Sequence, residues 1–163
     1  MHKFIFLDID GVLNSEIYAL HCLNNNIKMT SNEPIDERNI KHLNHIIEKT
    51  KAKVIISSSW RLSQSYQILA EFLHQKGFVG EVIGATPNLR GIERGNEILE
   101  FIRVYCEKSN IETYYKDFKD YVIIDDDDDM LYIQRNNFIQ TDPYCGLTAT
   151  LAQNAIEILG EAK

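Results

Sequence analysis

Short unbroken apolar runs alternate along this chain with longer stretches in which apolar residues recur every three or four positions. Residues 3–8 (KFIFLD), 53–57 (KVIIS), 81–84 (EVIG) and 121–125 (YVIID) are of the first kind, and NFIQ at 137–140 is a weaker version. A continuous apolar run predicts a strand buried on both faces, and the last run predicts an edge strand.

The second kind predicts helices. Residues 36–50 bring Ile40, Leu43, Ile46 and Ile47 to one face, with Asp36 as N-cap. Residues 63–76 do the same with Ile68, Leu69, Phe72 and Leu73, and Gly77 ends that helix. Ile98, Ile102 and Tyr105 mark a helix over 93–107, and Leu151, Ala155, Ile158 and Leu159 mark one over 148–159. Strands alternating with helices give an α/β fold, a central parallel sheet covered on both faces. No repeat or linker divides residues 1–163, so one domain is expected. The polar, Asn-rich segment 14–34 is expected to form a flap or loop.

Charge changes this picture in one place. The net charge is −7, but Asp8, Asp10 and the run Asp125–Asp129 supply the whole excess: without them 17 acids face 17 Lys plus Arg. If a divalent cation occupies those two segments, the acidic balance says little against an anionic substrate. The three cysteines, Cys22, Cys106 and Cys145, form no CxxC pair, the pattern of a reducing compartment. FIFL before Asp8 is too short for a leader, and no apolar run reaches membrane-spanning length. A cytoplasmic protein with no membrane partner is expected.

Ligands of open α/β sheets collect beyond the carboxyl ends of the strands. The first strand ends in DIDG, where Asp8 and Asp10 leave the same side of an extended chain and Gly11 permits a sharp turn. Such a pair can divide nucleophilic or metal-binding work from proton transfer, though an Asp pair before Gly also fits a plain turn. The second ends in SSSWR: Ser57 and Ser58 can donate to an oxyanion or cap the next helix. Trp60 fits a stacking ring or the core, and Arg61 fits a substrate contact or a surface ion pair. The fourth runs into the five aspartates, whose oxygens suit a hard cation such as Mg²⁺. Arg94, in the first turn of its helix, opposes the helix dipole; an anion from outside would account for it, as would a neighbouring Glu.

In order and spacing these motifs resemble the haloacid dehalogenase (HAD) superfamily. DIDGV resembles its first motif, Ser57 in VIIS its second, and Asp125 with Asp129 in VIIDDDDDM its fourth. Arg94, or else Arg90, stands where the family usually has Lys. SSSWR and DPYCGLT are similar to the small HAD domains of predicted RNA-repair proteins. The resemblance implies a Rossmann-like three-layer sandwich with minimal or no cap. It implies a phosphatase in which Asp8 attacks phosphorus and forms an aspartyl-phosphate, while Asp10 donates and then accepts the proton. It further implies Mg²⁺ held by Asp8, the Asp10 carbonyl, Asp125 and Asp126, with Ser57, Ser58 and Arg94 on the phosphoryl oxygens.

With little chain left for a cap, the site is expected to be open, which suits a nucleic-acid end or a nucleotide. A small-metabolite phosphatase and a non-catalytic metal- or phosphate-binding module are the alternatives. Within the acidic run, Asp127 and Asp128 are expected to be merely solvated.

Overall fold

The computed structural model describes residues 2–27, 34–112 and 114–162. Its five strands are β1 (Phe4–Leu7), β2 (Lys53–Ile56), β3 (Val82–Ala85), β4 (Tyr121–Asp125) and β5 (Phe138–Gln140). They form one all-parallel sheet in the order β3-β2-β1-β4-β5. The weak run at 137–140 is indeed an edge strand.

Successive side chains of a strand leave opposite faces of the sheet, so β1 feeds two cores. Ile5 and Leu7 enter an aliphatic core with Ile40, Leu43 and Ile46 of α2 (Glu37–Thr50) and Leu69 and Leu73 of α3 (Tyr66–Gln75). Ala152, Ala155 and Ile156 of α5 (Ala149–Leu159) complete that layer. Phe4 and Phe6 enter a smaller, more aromatic core with Phe118 and with Ile98 and Ile102 of α4 (Arg94–Lys108). Helices therefore cover both faces, in an α/β, Rossmann-like arrangement. Each fully buried Leu, Ile or Phe contributes about 1.5–3 kcal/mol.

Local signals set the helix ends. Asp36 accepts from the Arg38 amide at 2.9 Å and caps α2, as expected. Gly77, at φ +93°, follows the end of α3. That helix begins at Tyr66, later than the pattern suggests, because residues 59–62 form a 3₁₀ turn and Ser65 is its N-cap. Ile68, assigned to its buried face, is 55 % exposed.

The segment 14–34 departs most from expectation. It contains α1 (Glu16–Asn24), while 28–33 lie outside the described residues. Helix α1 buries only Cys22 and leaves Ile17, Leu20 and Leu23 exposed, so it has no apolar stripe by which periodicity could reveal it. Among the described residues no helix is long and apolar enough to cross a membrane.

The order of the strands decides where chemistry can sit. From β1 the chain moves outward to β2 and β3, then returns to β4 and β5 on the other side. The reversal falls between β1 and β4, and a crevice at their carboxyl ends is the expected ligand site.

Candidate active site

The parallel ladder lines up five polar residues along the carboxyl edge of the sheet. In sheet order they are Thr86, Ser57, Asp8, Asp125 and Thr141, all buried. Backbone bonds hold the row: Thr86 N donates to Ile56 O at 2.9 Å, Ser57 N to Leu7 O at 2.8 Å, Asp8 N to Ile124 O at 3.0 Å and Thr141 N to Asp125 O at 3.0 Å. Motifs far apart in sequence thus become neighbours because the strands carrying them are neighbours.

Asp8, Asp125 and Asp126 converge, each offering a carboxylate oxygen within 4.8 Å of the others. Gly11 makes this approach possible. Its φ is +64°, and a Cβ there would lie 2.5 Å from Asp126 Cγ, so both the turn and the contact require glycine. Burial pushes the Asp8 carboxyl up to about 6, against the opposing pull of Arg94 and a hydrogen bond from Ser58. Burial, with Asp8 next in importance, pushes Asp125 up to about 7. Burial also raises Asp126. Desolvation outweighs the pull of the nearby cation that pairs with these acids, so the described cluster is short of positive charge. An all-carboxylate donor set of this kind fits a hard divalent cation.

Arg94 is that nearby cation. Its Nη1 lies 3.4 Å from both Asp8 Oδ1 and Asp125 Oδ2. Arg90, the alternative for the same role, is exposed on the loop before α4 and makes no ion pair with these acids among the described residues. The dipole of α4 is answered by the acidic run: Asp129 Oδ2 accepts from Arg94 N at 3.0 Å, and its carbonyl accepts from Gly95 N at 3.3 Å. Glu93, at the N-cap position, makes no side-chain cap. Gln134 tightens the junction, donating to Gly95 O at 2.8 Å and accepting from Leu131 N at 2.9 Å. One end of the aspartate run thus joins the carboxylate cluster, and the other caps the helix that carries Arg94. Asp127 and Asp128 are exposed, as expected.

Ser57 and Ser58 are fully buried and differ in their partners. The Ser58 hydroxyl bonds Asp8 and accepts from Trp60 N at 3.4 Å. Among the described residues the Ser57 and Thr86 hydroxyls have no hydrogen-bond partner. Two adjacent orphaned hydroxyls at the sheet edge fit an acceptor-rich ligand such as a phosphoryl group.

Arg61 and Asp10 both have partners within the protein. Arg61, expected to make a substrate contact or a surface ion pair, makes a buried ion pair: its guanidinium pairs with Glu97 and donates to Ser58 O at 2.7 Å and Thr86 O at 3.1 Å. With the guanidinium buried, internal acceptors replace solvent, and the pair ties the 57–61 turn to α4. The Asp10 carboxylate lies outside the convergent cluster. Its Oδ1 accepts from Asn14 Nδ2 at 2.8 Å and its Oδ2 from Trp60 Nε1 at 2.9 Å. Trp60 is therefore neither a free stacking ring nor only core.

Sequence reasoning missed Asn14, Thr86 and Thr141. Thr86 and Thr141 carry the same signal as Ser57, a polar residue at the end of an apolar run; Asn14 carries none beyond lying four residues after Asp10. Beside Asp10, Gly11, Asn14, Glu16, Pro34 and Pro143 line a cavity of about 300 Å³.

The family model described as "HAD domain in Swiss Army Knife RNA repair proteins" matches residues 4–152. No curated protein and no solved structure matches the chain.

Proposed function

The chain belongs to the family of HAD domains in Swiss Army Knife RNA repair proteins, and we propose that it is a Mg²⁺-dependent phosphomonoester hydrolase. Its proposed substrate is a nucleic-acid terminal phosphate or a nucleotide. One observation carries the reading: two buried carboxylates, Asp8 and Asp125, meet at the sheet's reversal point against the Arg94 guanidinium, with hydroxyls alongside that have no partner among the described residues.

In the first step an Asp8 oxygen attacks phosphorus, the bond to the leaving oxygen breaks, and Asp10 gives that oxygen its proton. In the second step Asp10 takes a proton from water. The water oxygen attacks phosphorus, the bond to Asp8 breaks, and inorganic phosphate leaves. Arg94 and the Ser57 hydroxyl face the equatorial oxygens, where negative charge spreads in the transition state. Asp8, Asp125, Asp126 and the Asp10 carbonyl would hold Mg²⁺, which would supply charge neutralisation for the nucleophile and the phosphoryl group. Arg94 then exchanges its carboxylate partners for phosphoryl oxygens, a planar fork suited to both. The cavity beside Asp10 receives the leaving group. The RNA-repair context of the family favours a nucleic-acid end over a metabolite.

The test is turnover of a chromogenic phosphate ester with and without Mg²⁺, beside Asp8→Asn. Wild-type turnover no faster than the variant's removes the hydrolase reading. A panel of 3′- and 5′-phosphorylated oligonucleotides, nucleotides and sugar phosphates, ranked by kcat/KM, then decides the substrate class; a clear win for sugar phosphates removes the nucleic-acid part.

A further inference from the structure

The 3₁₀ turn that follows β2 touches both acids of the first loop. Ser58 bonds Asp8, and Trp60, two residues on, donates its indole N–H to Asp10 at 2.9 Å. The spacing of the holders matches the spacing of the acids they hold. Trp60 is itself fixed from two sides. Its carbonyl accepts from Ser63 N and Gln64 N, both at 3.2 Å, and its ring packs on Phe72 of α3 at 5.7 Å between centroids.

Asn14 grips the other Asp10 oxygen, and its own orientation is set by Gly11 N, which donates to Asn14 Oδ1 at 2.8 Å. An aspartate just before a glycine turn has a side chain free to rotate; here both oxygens are spoken for by neutral donors. Neither donor carries charge, so the clamp fixes direction without competing for a cation.

We infer that Trp60 is a positioning residue for proton transfer: clamped between Phe72 and Asp10, its indole N–H aims the Asp10 carboxyl at the leaving oxygen and keeps it from turning into the Asp8–Asp125–Asp126 cluster. The inference rests on the hydrolase reading and specifies how this fold serves it. Proton delivery matters in proportion to how poor the leaving group is. An alkyl alcohol needs the proton; dinitrophenolate departs without one. A misaimed Asp10 therefore penalises the two esters unequally, whereas a general loosening of the site penalises them alike.

The experiment compares an alkyl phosphate with 2,4-dinitrophenyl phosphate in wild type, Trp60→Phe and Asp10→Asn, after thermal melts show that each variant folds. Phenylalanine keeps the ring against Phe72 and removes the donor. In Trp60→Phe, kcat on the alkyl ester should fall about tenfold to a hundredfold more than kcat on the dinitrophenyl ester, with a larger disparity in Asp10→Asn. Equal losses on both esters overturn the inference.

A second readout needs no turnover. Trp60 is the protein's single tryptophan, so its indole N–H gives one NMR crosspeak. Asp10→Ala should move that crosspeak and speed its exchange with solvent; an unmoved crosspeak overturns the clamp. If the crosspeak responds but wild type hydrolyses neither ester, the hydrolase reading has failed, and the proton-transfer role falls with it. Active wild type with equal losses leaves the reading standing and removes only the role of Trp60.

Discussion

Asp8 and Asp10 sit two residues apart on one loop, yet the two sides of the site they define are built on opposite principles. On the Asp8 side, three acids are crowded and largely buried, two of them against the Arg94 guanidinium, an arrangement short of positive charge among the described residues. On the Asp10 side, an indole and a carboxamide satisfy both oxygens with neutral donors. On the proposed reading the first side receives a cation and an anion together. The second is made to hold one group in one direction. What differs is not the residue type but what the neighbouring strand ends bring to it.

The largest effect should come from the charge-poor side. Asp8→Asn should abolish turnover of every ester, including activated ones. Asp125→Ala should abolish the Mg²⁺-dependent part, read as loss of both turnover and the calorimetric Mg²⁺ signal. If Asp125→Ala still binds Mg²⁺ like wild type, the comparison of the two sides collapses.

A pH titration sharpens the same contrast. Asp8 and Asp125 are raised to about 6 and about 7 from an ordinary value of 3.8. The folded, metal-free protein therefore binds more protons than the unfolded chain between about pH 4 and 7. Stability contributed by these groups is fully present below about pH 4 and is lost as pH rises through about 7. Melts without Mg²⁺ should show a fall of several kcal/mol across that window. Added Mg²⁺ should restore it near pH 7, and a flat profile in chelator would contradict the crowding.

Smaller effects come from the ends of the acidic run. Asp129→Ala removes the cap of α4 and should cost about 1 kcal/mol in a thermal melt, with a modest drop in turnover because Arg94 rides on that first turn. Asp128→Ala should change stability by less than about 0.5 kcal/mol and leave turnover alone. Equal behaviour of the two variants would dissolve the division of labour within the five aspartates.

Much of the fold was legible because it rests on apolar runs. Every strand run became a strand, and the helix faces of α2, α4 and α5 follow their periodicity, because burial itself imposes those patterns. Helix α1 was not legible: it buries only Cys22, and its exposed Leu20 and Leu23 mimic no stripe. In the site, the carboxylates and Ser57 could be named from strand ends alone. The partners could not, since they depend on which strands become neighbours. Arg61 is the instructive case. Sequence offered a cation beside a serine, and only the approach of α4 shows Glu97 waiting for it.

The row of polar residues along the sheet edge also bears on how the molecule assembles itself. Asp8 and Asp125 come from strands adjacent in the sheet but near opposite ends of the chain. Local helices and the β1–β2–β3 half can organise early, whereas the β1–β4 contact needs closure of the longest loop, a slow step for any chain. During refolding the paired carboxylates should thus come into being only when the sheet closes. On the proposed reading, acquisition of Mg²⁺ affinity, followed in time, should be a clock for that closure, trailing the appearance of helical signal.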